Sequence, residues 1–420
     1  MKHALAAVSL VLLLACSRSD AQSSASSSSP AAKAAPPQST RTMQHYEVRA
    51  DRLPKPFHTS SAGNPPRVIS RPANASLQVP PGFRVELWAT DISNPRNMVL
   101  APNGDVFLAD TSSDTVWVFR DTNGDSRPDQ RFTWSDDLRG VFGLAFRGNH
   151  LYVGNEDAIV RFDYKSGQTE ASGKPVKLTS LPAGGHSTRN VIFNRDGSKM
   201  YVAVGSGSNV SDETSEPLRA AITEYNPDGS GRRTFASGLR NPIGLAWNPA
   251  DQSLWTVVNE RDGLGDDLVP DYATEVKRDA FYGWPFSYIG KNVDPRREGE
   301  RNDLVAKAIV PSVLIQAHSA PITVVFYTGS TFPQQYRGGA FVALHGSWNR
   351  ANRTGYKVVF IPFRNGKPTG GYDDFLTGWA PDPKDRTVWG RPAGLLVLRD
   401  GSLLVSDDGA GVVWRVSYGK

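Results

Sequence analysis

The sequence predicts an all-β fold, a six-bladed β-propeller, and three observations support this prediction. Five segments each carry an arginine just ahead of an apolar run, which is followed by a turn and a second apolar run. The 39 glycines, 30 prolines and 10 tryptophans supply abundant turns and aromatic strand positions. No long stretch of the 420 residues shows the helical period. Repeated two-strand units without helices are the pattern of a propeller.

The repeated units also set the blade count and the extent of the domain. Early units start about 50 residues apart, within the range typical of repeat folds, and the wider later spacings indicate loop insertions. A sixth unit begins at Ala320 without an arginine. Because a closed propeller grows by adding blades, residues 81–420 are predicted to form one domain. The arginines that begin the other five units are Arg96, Arg139, Arg189, Arg240 and Arg391.

In a propeller, these five arginines are predicted to approach a common axis. Arginine keeps its charge at any relevant pH, and its planar fork matches carboxylate or phosphate groups. The repeated arginines therefore predict a small acidic ligand held over the central channel.

The first 16 residues predict export. A short basic start precedes the apolar residues 4–15, a stretch too short to span a bilayer as a mature helix, and Cys16 follows. This pattern resembles a bacterial lipoprotein signal, whose cysteine becomes the lipidated first residue. An ordinary secretory signal cleaved near residues 19–22 is the alternative. The first interpretation predicts a lipid-anchored protein on the periplasmic side of the envelope, and both predict an exported one.

Two segments separate this signal from the propeller. Residues 17–45 are rich in Ser, Ala and Pro, a composition that cannot bury enough apolar surface to fold, and they are predicted to form a tether. Residues 46–80, with repeated prolines, are predicted to lie along the body as an irregular arm. Since Cys16 is the only cysteine, the folded part has no disulfide, thiol nucleophile or cysteine metal site. The formal charge of +5, with no run of Lys and Arg, excludes a nucleic-acid partner.

The candidate catalytic base is His186. It follows the flexible glycines Gly184 and Gly185 and precedes Arg189 by three residues. Imidazole is the side chain best suited to accept a proton near neutral pH, and neighbouring arginines disfavour its charged form. A structural histidine is the alternative that this position alone leaves open.

Four motifs in this order resemble one known family. They are His-x-x-Arg at residues 186–189, Gly-Leu-Arg-Asn-Pro at 238–242, an acidic loop at 262–267, and Tyr-Gly-Trp-Pro at 282–285. Together they resemble the soluble glucose/sorbosone dehydrogenases that use pyrroloquinoline quinone (PQQ), especially the sorbosone dehydrogenase-like branch. The resemblance covers residues 82–418.

The resemblance implies oxidation of a sugar, an aldose or a sorbosone-like compound, with PQQ and calcium as cofactors. His186 matches the general base that takes the hydroxyl proton while hydride passes to the quinone, and Arg240 and Asn241 match the pair beside the quinone oxygens. Carbonyls of the acidic loop match the calcium ligands, although an expected Gly-Pro is missing there, and they are assigned to Gly263, Leu264, Asp266 and Asp267. The residues predicted to contact the cofactor are Arg189, Arg240, Asn241, Arg350, Trp389 and Arg391.

Two of these cofactor contacts depart from the family pattern. Trp389 stands where the family has a second arginine beside Arg391, and Arg350 stands about where it has a lysine. The chemistry agrees with the assignment without the family name. PQQ carries three carboxylates and an ortho-quinone, so its site needs several cations, a Lewis acid and a base. The arginines, the acidic loop and His186 supply these three. Trp348 and Trp284 are further aromatic candidates to cover the flat cofactor, with blade packing as the alternative.

A second calcium loop is predicted between the first two units. Its oxygen ligands alternate along the chain, as suits the large coordination sphere of calcium, and a solvated hairpin is the alternative. The predicted ligands, which would stabilise the loop without a part in the chemistry, are Asp121, Asn123, Asp125 and Asp129.

Two other functions remain open, a non-catalytic binding propeller at the envelope and a calcium-dependent lactonase-type hydrolase. The arginines at axial positions disfavour the second, because they repel a bare central cation. His318 and His345 lie next to strands of the sixth unit and are candidates for contact with the substrate. The chain has no haem attachment motif, so electrons are predicted to leave to a separate carrier, a cytochrome or a membrane quinone.

Overall fold

The computed structural model describes residues 43–419, and in this part of the chain six antiparallel sheets form the blades of a β-propeller. The predicted fold class and blade count are confirmed. The predicted signal, with Cys16, and most of the predicted tether lie in residues 1–42, outside the described residues. In each blade the first strand is innermost, because the first strands of neighbouring blades contact one another.

Blades 1 to 3 follow one another along the chain, each as a meander of four strands. Blade 3 has a short fifth strand, Ala280–Phe281, which pairs parallel with its outer edge. The four-strand sets are, for blade 1, Pro95–Leu100, Val106–Asp110, Thr115–Arg120 and Gln130–Ser135; for blade 2, Gly143–Arg147, His150–Asn155, Ala158–Asp163 and Val176–Ser180; and for blade 3, Arg189–Phe193, Met200–Val204, Ala221–Tyr225 and Arg233–Ser237.

Blades 4 to 6 carry the long insertions and the ring closure. Blade 5 is the unit without an initial arginine, and His45–Tyr46 of the arm pairs with its outer strand. The sets are, for blade 4, Asn241–Trp247, Leu254–Asn259, Asp271–Glu275 and Val313–Ile315; for blade 5, Pro321–Phe326, Ala340–Leu344, Lys357–Ile361 and Tyr372–Leu376; and for blade 6, Pro392–Val397, Leu403–Asp407, Val412–Tyr418 and Phe83–Ala89.

Small elements lie outside the blades. One α-helix of four residues, Asn302–Val305, occupies the long insertion of blade 4. The 3-10 turns are Ala50–Arg52, Thr111–Ser113, Pro295–Arg297 and Gln334–Tyr336. The two-stranded pairs are Arg67–Val68 with Thr387–Val388, Ser287–Tyr288 with Asn292–Val293, and Phe363–Arg364 with Lys367–Pro368. Within residues 43–419, no helix combines the length and the apolar character that crossing a bilayer requires.

The core lies between blades, where the alternating apolar residues of facing sheets interdigitate. Between blades 1 and 2, for example, Phe107 and Val118 pack in one cluster with Leu151 and Val160. Strands of propeller blades are buried on both faces, which explains their nearly continuous apolar runs in the sequence.

Candidate active site

The antiparallel order of each blade places two kinds of loop at one edge. The start of a first strand and the end of its neighbouring second strand meet at the same end of the sheet. His186 and Arg240 precede first strands, whereas Asp262 and His345 follow second strands. The six blades therefore gather the predicted site residues at one end of the channel.

His186 is held in a single tautomer by Ser206. Its Nδ1 lies 2.8 Å from the Ser206 carbonyl oxygen and 3.1 Å from the Ser206 hydroxyl oxygen. A carbonyl oxygen can only accept, so Nδ1 carries the proton and donates it, and Nε2 keeps its lone pair. The backbone N–H of His186 also donates to the Ser206 carbonyl, at 3.0 Å.

The environment keeps the His186 ring neutral. Burial, and after it the positive charge of Arg240, lower its pKa to about 4. A backbone hydrogen bond also links the two residues through Ser206, whose N–H donates to the Arg240 carbonyl oxygen at 2.8 Å. At neutral pH, His186 is therefore an uncharged base with a free Nε2.

Asn241 lies beside His186 across Gly205. A Cβ on Gly205 would overlap Asn241 Oδ1 and would lie 2.6 Å from His186 Cβ, so only glycine leaves both side chains in place. Asn241 Oδ1 is buried and has no hydrogen-bond partner among the described residues. Burying an unpaired amide oxygen is costly, which indicates that a ligand completes this group.

Arg240 is buried and fixed by a dense set of acceptors. Nη1 donates to the Glu260 carbonyl at 2.8 Å, Nη2 donates to Asn209 Oδ1 at 3.1 Å, and Nη2 also lies 3.3 Å from Asp262 Oδ2. Its guanidinium is thus a fixed positive group next to His186 and Asn241.

Asp262 and Asn209 form a clamp around this arginine that the sequence analysis did not find. The Asp262 N–H donates to Asn209 Oδ1 at 2.9 Å, and Asn209 Nδ2 donates to the Asp262 carbonyl at 3.0 Å. Asn349 Nδ2 donates to the Asp262 side chain and also contacts His318 Nδ1, at 3.0 Å. In the sequence, Asp262 and Asn209 are marked only by their position soon after a second strand. Polar residues are common there in any propeller, so the pattern did not distinguish them.

A second buried group surrounds His345, where blades 5, 6 and 1 meet. Its Nε2 lies 2.8 Å from Asp408 Oδ1, and Arg96 Nε lies 2.8 Å from Asp408 Oδ2. Burial lowers the pKa of His345 to about 4, so the neutral ring donates its Nε2–H to Asp408 and keeps Nδ1 as an acceptor. The sequence marked His345 as a candidate but gave no signal for Asp408.

Arg391 borders the same group. Its Nε and Nη2 each donate at 3.2 Å, to the carbonyls of His345 and Gly346 respectively. None of the described residues accepts from its Nη1. One arm of this cation is therefore left for an acidic ligand.

The predicted calcium loop has a mixed set of oxygens. Asp266 Oδ1 is buried with no donor among the described residues, which suits a hard cation. Two carbonyls already accept hydrogen bonds, Leu264 from the Phe57 N–H at 2.8 Å and Gly265 from His318 Nε2 at 3.0 Å. Arg350 forms an ion pair with Asp267 and borders this loop instead of standing free in the channel.

The predicted ring of five equivalent arginines is wrong in two of its members. Arg189 is fully buried and donates to the carbonyls of His186, Thr188 and Pro182, so it holds the His186 loop instead of extending into the channel. Arg139 is exposed and pairs with Asp157 at 3.2 Å. An arginine in a strand-start loop turns to the nearest free carbonyls or carboxylates, and these vary between blades.

The tryptophans also differ from the cofactor prediction. Trp389 is buried against Trp379 and Trp414, and its indole N–H donates to the Gly378 carbonyl at 2.8 Å, so it is a core residue. Trp284 is buried too and donates to the Asn209 carbonyl at 2.9 Å, which supports the clamp on Arg240. Trp348, in contrast, is 51% exposed.

The predicted second calcium loop is closed by its own hydrogen bonds. Asp121 accepts the N–H groups of Gly124 and Ser126, both at 2.7 Å, and Asp129 accepts the Thr122 N–H at 2.7 Å. Over residues 43–419, no group of three or more His, Cys, Asp or Glu side chains is arranged to hold a metal ion. The loop has the geometry of the solvated hairpin alternative.

Comparison with known proteins places this site in a family. An uncharacterized protein of Borreliella burgdorferi is 28% identical over 371 residues, which are 84% of this chain and 94% of that protein. The pyrroloquinoline quinone-dependent pyranose dehydrogenase of Coprinopsis cinerea is 25% identical over 408 residues, 81% of this chain and 54% of that enzyme. The chain thus spans about half the length of the Coprinopsis enzyme.

A solved structure and a family model agree with these relatives. The calcium structure of Trichoderma reesei Carbohydrate-Active Enzymes Family AA12 has a TM-score of 0.73 and 19% identity, and the match covers 84% of this chain and 99% of that one. The predicted resemblance to soluble PQQ-dependent sugar dehydrogenases is confirmed. The model of the TrAA12-like family matches residues 77–279 and 287–419. By this match over most of its length, the chain belongs to the TrAA12-like family.

Proposed function

We propose that this protein is a PQQ-dependent sugar dehydrogenase in which His186 is the general base. The observation that carries the proposal is the convergence of a neutral base, an unpaired carboxamide and a fixed cation at one point. His186 Nε2 is free, Asn241 Oδ1 has no partner, and Arg240 lies beside both. The name of the Coprinopsis relative supplies the cofactor and the pyranose class of substrate.

The cations at this end of the channel fit a tricarboxylate. Arg391 Nη1 has no acceptor among the described residues. The Arg240 guanidinium is already held by its own acceptors, but it adds a second positive charge. A guanidinium donates charge-assisted hydrogen bonds to carboxylate, so Arg391, through Nη1, is the residue that would hold a cofactor carboxylate. Asn241 Oδ1 is an acceptor, so a donor N–H or O–H group of the bound ligand would complete its hydrogen bonds.

Residues of this chain accept the substrate proton and stabilise the charge that results. When bound, PQQ supplies the acceptor for the hydride that leaves the substrate carbon. His186 Nε2 takes the proton of the substrate hydroxyl, so that C–H and O–H both break and a C=O double bond forms. Ser206 holds the ring by accepting from Nδ1–H at 2.8 Å, and its carbonyl also stabilises the imidazolium that results. Arg240 stabilises negative charge next to the reacting atoms.

Calcium is the second proposed cofactor. The structure of the Trichoderma relative is described as a calcium structure. In this chain, Asp266 Oδ1 is the oxygen best suited to such an ion, with the carbonyl of Gly263 as its neighbour in the loop. A sugar substrate, a separate electron carrier and a lipid-anchored location at the envelope complete the proposal.

Calorimetric titration of the calcium-loaded apoprotein with PQQ tests the function, followed by dye reduction over a panel of aldoses. The His186→Ala variant should bind PQQ as the wild type does, while kcat falls by about 10²- to 10⁴-fold. His150→Ala is the matched control, because His150 pairs with Asp163 on a blade 2 hairpin, away from the site. A folded wild-type protein that binds no PQQ would exclude the proposed function.

A further inference from the structure

Part of the N-terminal arm runs across the site loops and lies outside the family match. The match begins at residue 77, whereas residues 57–67, which we name the strap, make ordered contacts with loops of blades 4 and 5. The sequence predicted an irregular arm along the body but gave no indication of where it would lie.

The strap first binds the acidic loop. Asp266 N–H donates to Thr59 Oγ1 at 2.8 Å, Gly265 N–H donates to Ser61 Oγ at 3.1 Å, and the Phe57 N–H donates to the Leu264 carbonyl at 2.8 Å. Three successive loop residues are thereby hydrogen-bonded by one short segment.

Gly265 shows how close this approach is. Its φ is +118°, and a Cβ there would lie 2.8 Å from the Thr59 carbonyl oxygen and 2.9 Å from Thr59 Oγ1. Only glycine allows both this backbone conformation and this distance. The glycine at this position therefore allows the strap to pack directly against the loop.

The strap next binds the loop that carries Arg350. Asn64 Nδ2 donates to the carbonyls of Arg350 and Ala351, at 3.0 and 3.1 Å. Asn64 Oδ1 accepts from Arg353 Nη2 at 3.0 Å, and the Asn64 N–H donates to the Trp348 carbonyl at 2.7 Å. One side chain thus uses both its donor and its acceptor to fix this loop.

The two loops belong to different blades and also contact each other at the site. Ala351 N–H donates to Asp266 Oδ2 at 2.9 Å, and Arg350 pairs with Asp267. An insertion loop without such ties gains conformational freedom, and ordering it on binding would reduce affinity. A strap that orders both loops in advance removes this cost.

We infer that Thr59, Ser61 and Asn64 are positioning residues, which hold the acidic loop and the Arg350 loop in their binding arrangement before the cofactor arrives. This inference rests on the proposed function for the identity of the cofactor. The order of the loops themselves can be measured without it.

The test measures hydrogen exchange in the full-length apoprotein and PQQ affinity by calorimetry. In Thr59→Val/Ser61→Ala, the Gly265 and Asp266 amides lose their acceptors and should exchange about tenfold faster, and PQQ should bind about tenfold more weakly. Asn64→Ala should weaken PQQ binding to a similar extent. Ser60→Ala is the matched control, since the neighbouring hydroxyl is exposed and contacts neither loop. Thr59→Ser in an otherwise native chain keeps the acceptor and should match the wild type.

The outcomes separate the inference from the function. Unchanged exchange at Gly265 and Asp266 in the double variant would overturn the inference, and so would faster exchange with unchanged PQQ affinity. Unchanged exchange in the blade 2 strands shows in each case that the propeller is folded. If the wild type itself binds no PQQ, the proposed function fails and the exchange data alone decide whether the strap orders the loops.

Discussion

A single carbonyl and a single cation give His186 its chemical character. The Ser206 carbonyl fixes the proton on Nδ1, while burial and Arg240 keep the other nitrogen unprotonated. An exposed histidine has a pKa near 6.5 and would be partly charged at neutral pH. His186 is therefore a weaker base than an exposed histidine, but its Nε2 lone pair is unprotonated at neutral pH.

The pH dependence of catalysis should show this shift. The pKa of His186 in the folded protein is lowered to about 4, so the ring stays neutral as the pH falls from 7 to 5 and is protonated only near pH 4. The kcat/KM of the wild type should therefore hold to about pH 5 and fall near pH 4. A pH–rate profile checks this, with the imidazole ¹⁵N shifts of the apoprotein as an independent readout.

Substitution of Arg240 should move the same midpoint. Arg240→Gln removes a positive charge beside His186, so the pKa of His186 should rise towards 6.5, whereas Arg240→Lys keeps the charge and should leave it near the wild-type value. The ¹⁵N titration measures both variants without cofactor. An equal shift in the two would assign the effect to repacking instead of charge.

At the scale of the elements, the blade edge decides which residues meet. First strands begin where second strands end, so His186, Arg240 and the loops after the second strands converge without any contact between them in sequence. Gly205 follows the second strand of blade 3 directly and leaves room for His186 and Asn241 together. A methyl group at Gly205 would force these two side chains to move.

Gly205→Ala tests this arrangement. The added Cβ would overlap Asn241 Oδ1 and crowd His186, so both must shift, and misplacement by about 1 Å can reduce the rate by about 10²-fold. The backbone of Gly205 is compatible with alanine, but overpacking at this buried position should also lower the free energy of unfolding by about 1–3 kcal/mol, and kcat should fall further than this loss of stability explains. Gly173→Ala is the control, because nothing lies within 4 Å of the added atom. Wild-type kcat in Gly205→Ala would contradict the assigned geometry.

The sequence predicted the elements better than the directions of their side chains. Apolar runs and turns repeat because each blade buries both faces of its sheet, so the fold and the loop position of His186 could be predicted. The fates of Arg189 and Arg139 could not, because each guanidinium turns to acceptors that its own blade supplies. Asp408 was missed for the same reason, since its partners Arg96 and His345 come from other blades.

At the scale of the whole molecule, the ring closes with a strand from the other end of the chain. Phe83–Ala89 pairs antiparallel with Val412–Tyr418 as the outer strand of blade 6. This pairing closes the ring and leaves no open gap between the first and last blades. The end of the channel that holds the site therefore keeps its shape. The site residues of blades 3 to 6 therefore depend on a contact far from any of them.

Phe83 is the side chain that secures this closing strand. Its ring packs edge-on against Phe332, Tyr336 and Phe375 of the blade 5 region, at centroid distances of 4.8, 5.3 and 5.0 Å, and it is only 4% exposed. Phe83→Ala removes these contacts and leaves a cavity, so the free energy of unfolding should fall by about 3–5 kcal/mol. Denaturant unfolding followed by tryptophan fluorescence measures the change.

Leu87→Ala is the matched control on the same strand. Leu87 is 47% exposed, so its truncation should cost less than about 1 kcal/mol. If Phe83→Ala is as mild as this control, the closing strand is not secured by its aromatic contacts. If it is severe, PQQ affinity should fall along with stability, because both depend on a closed ring.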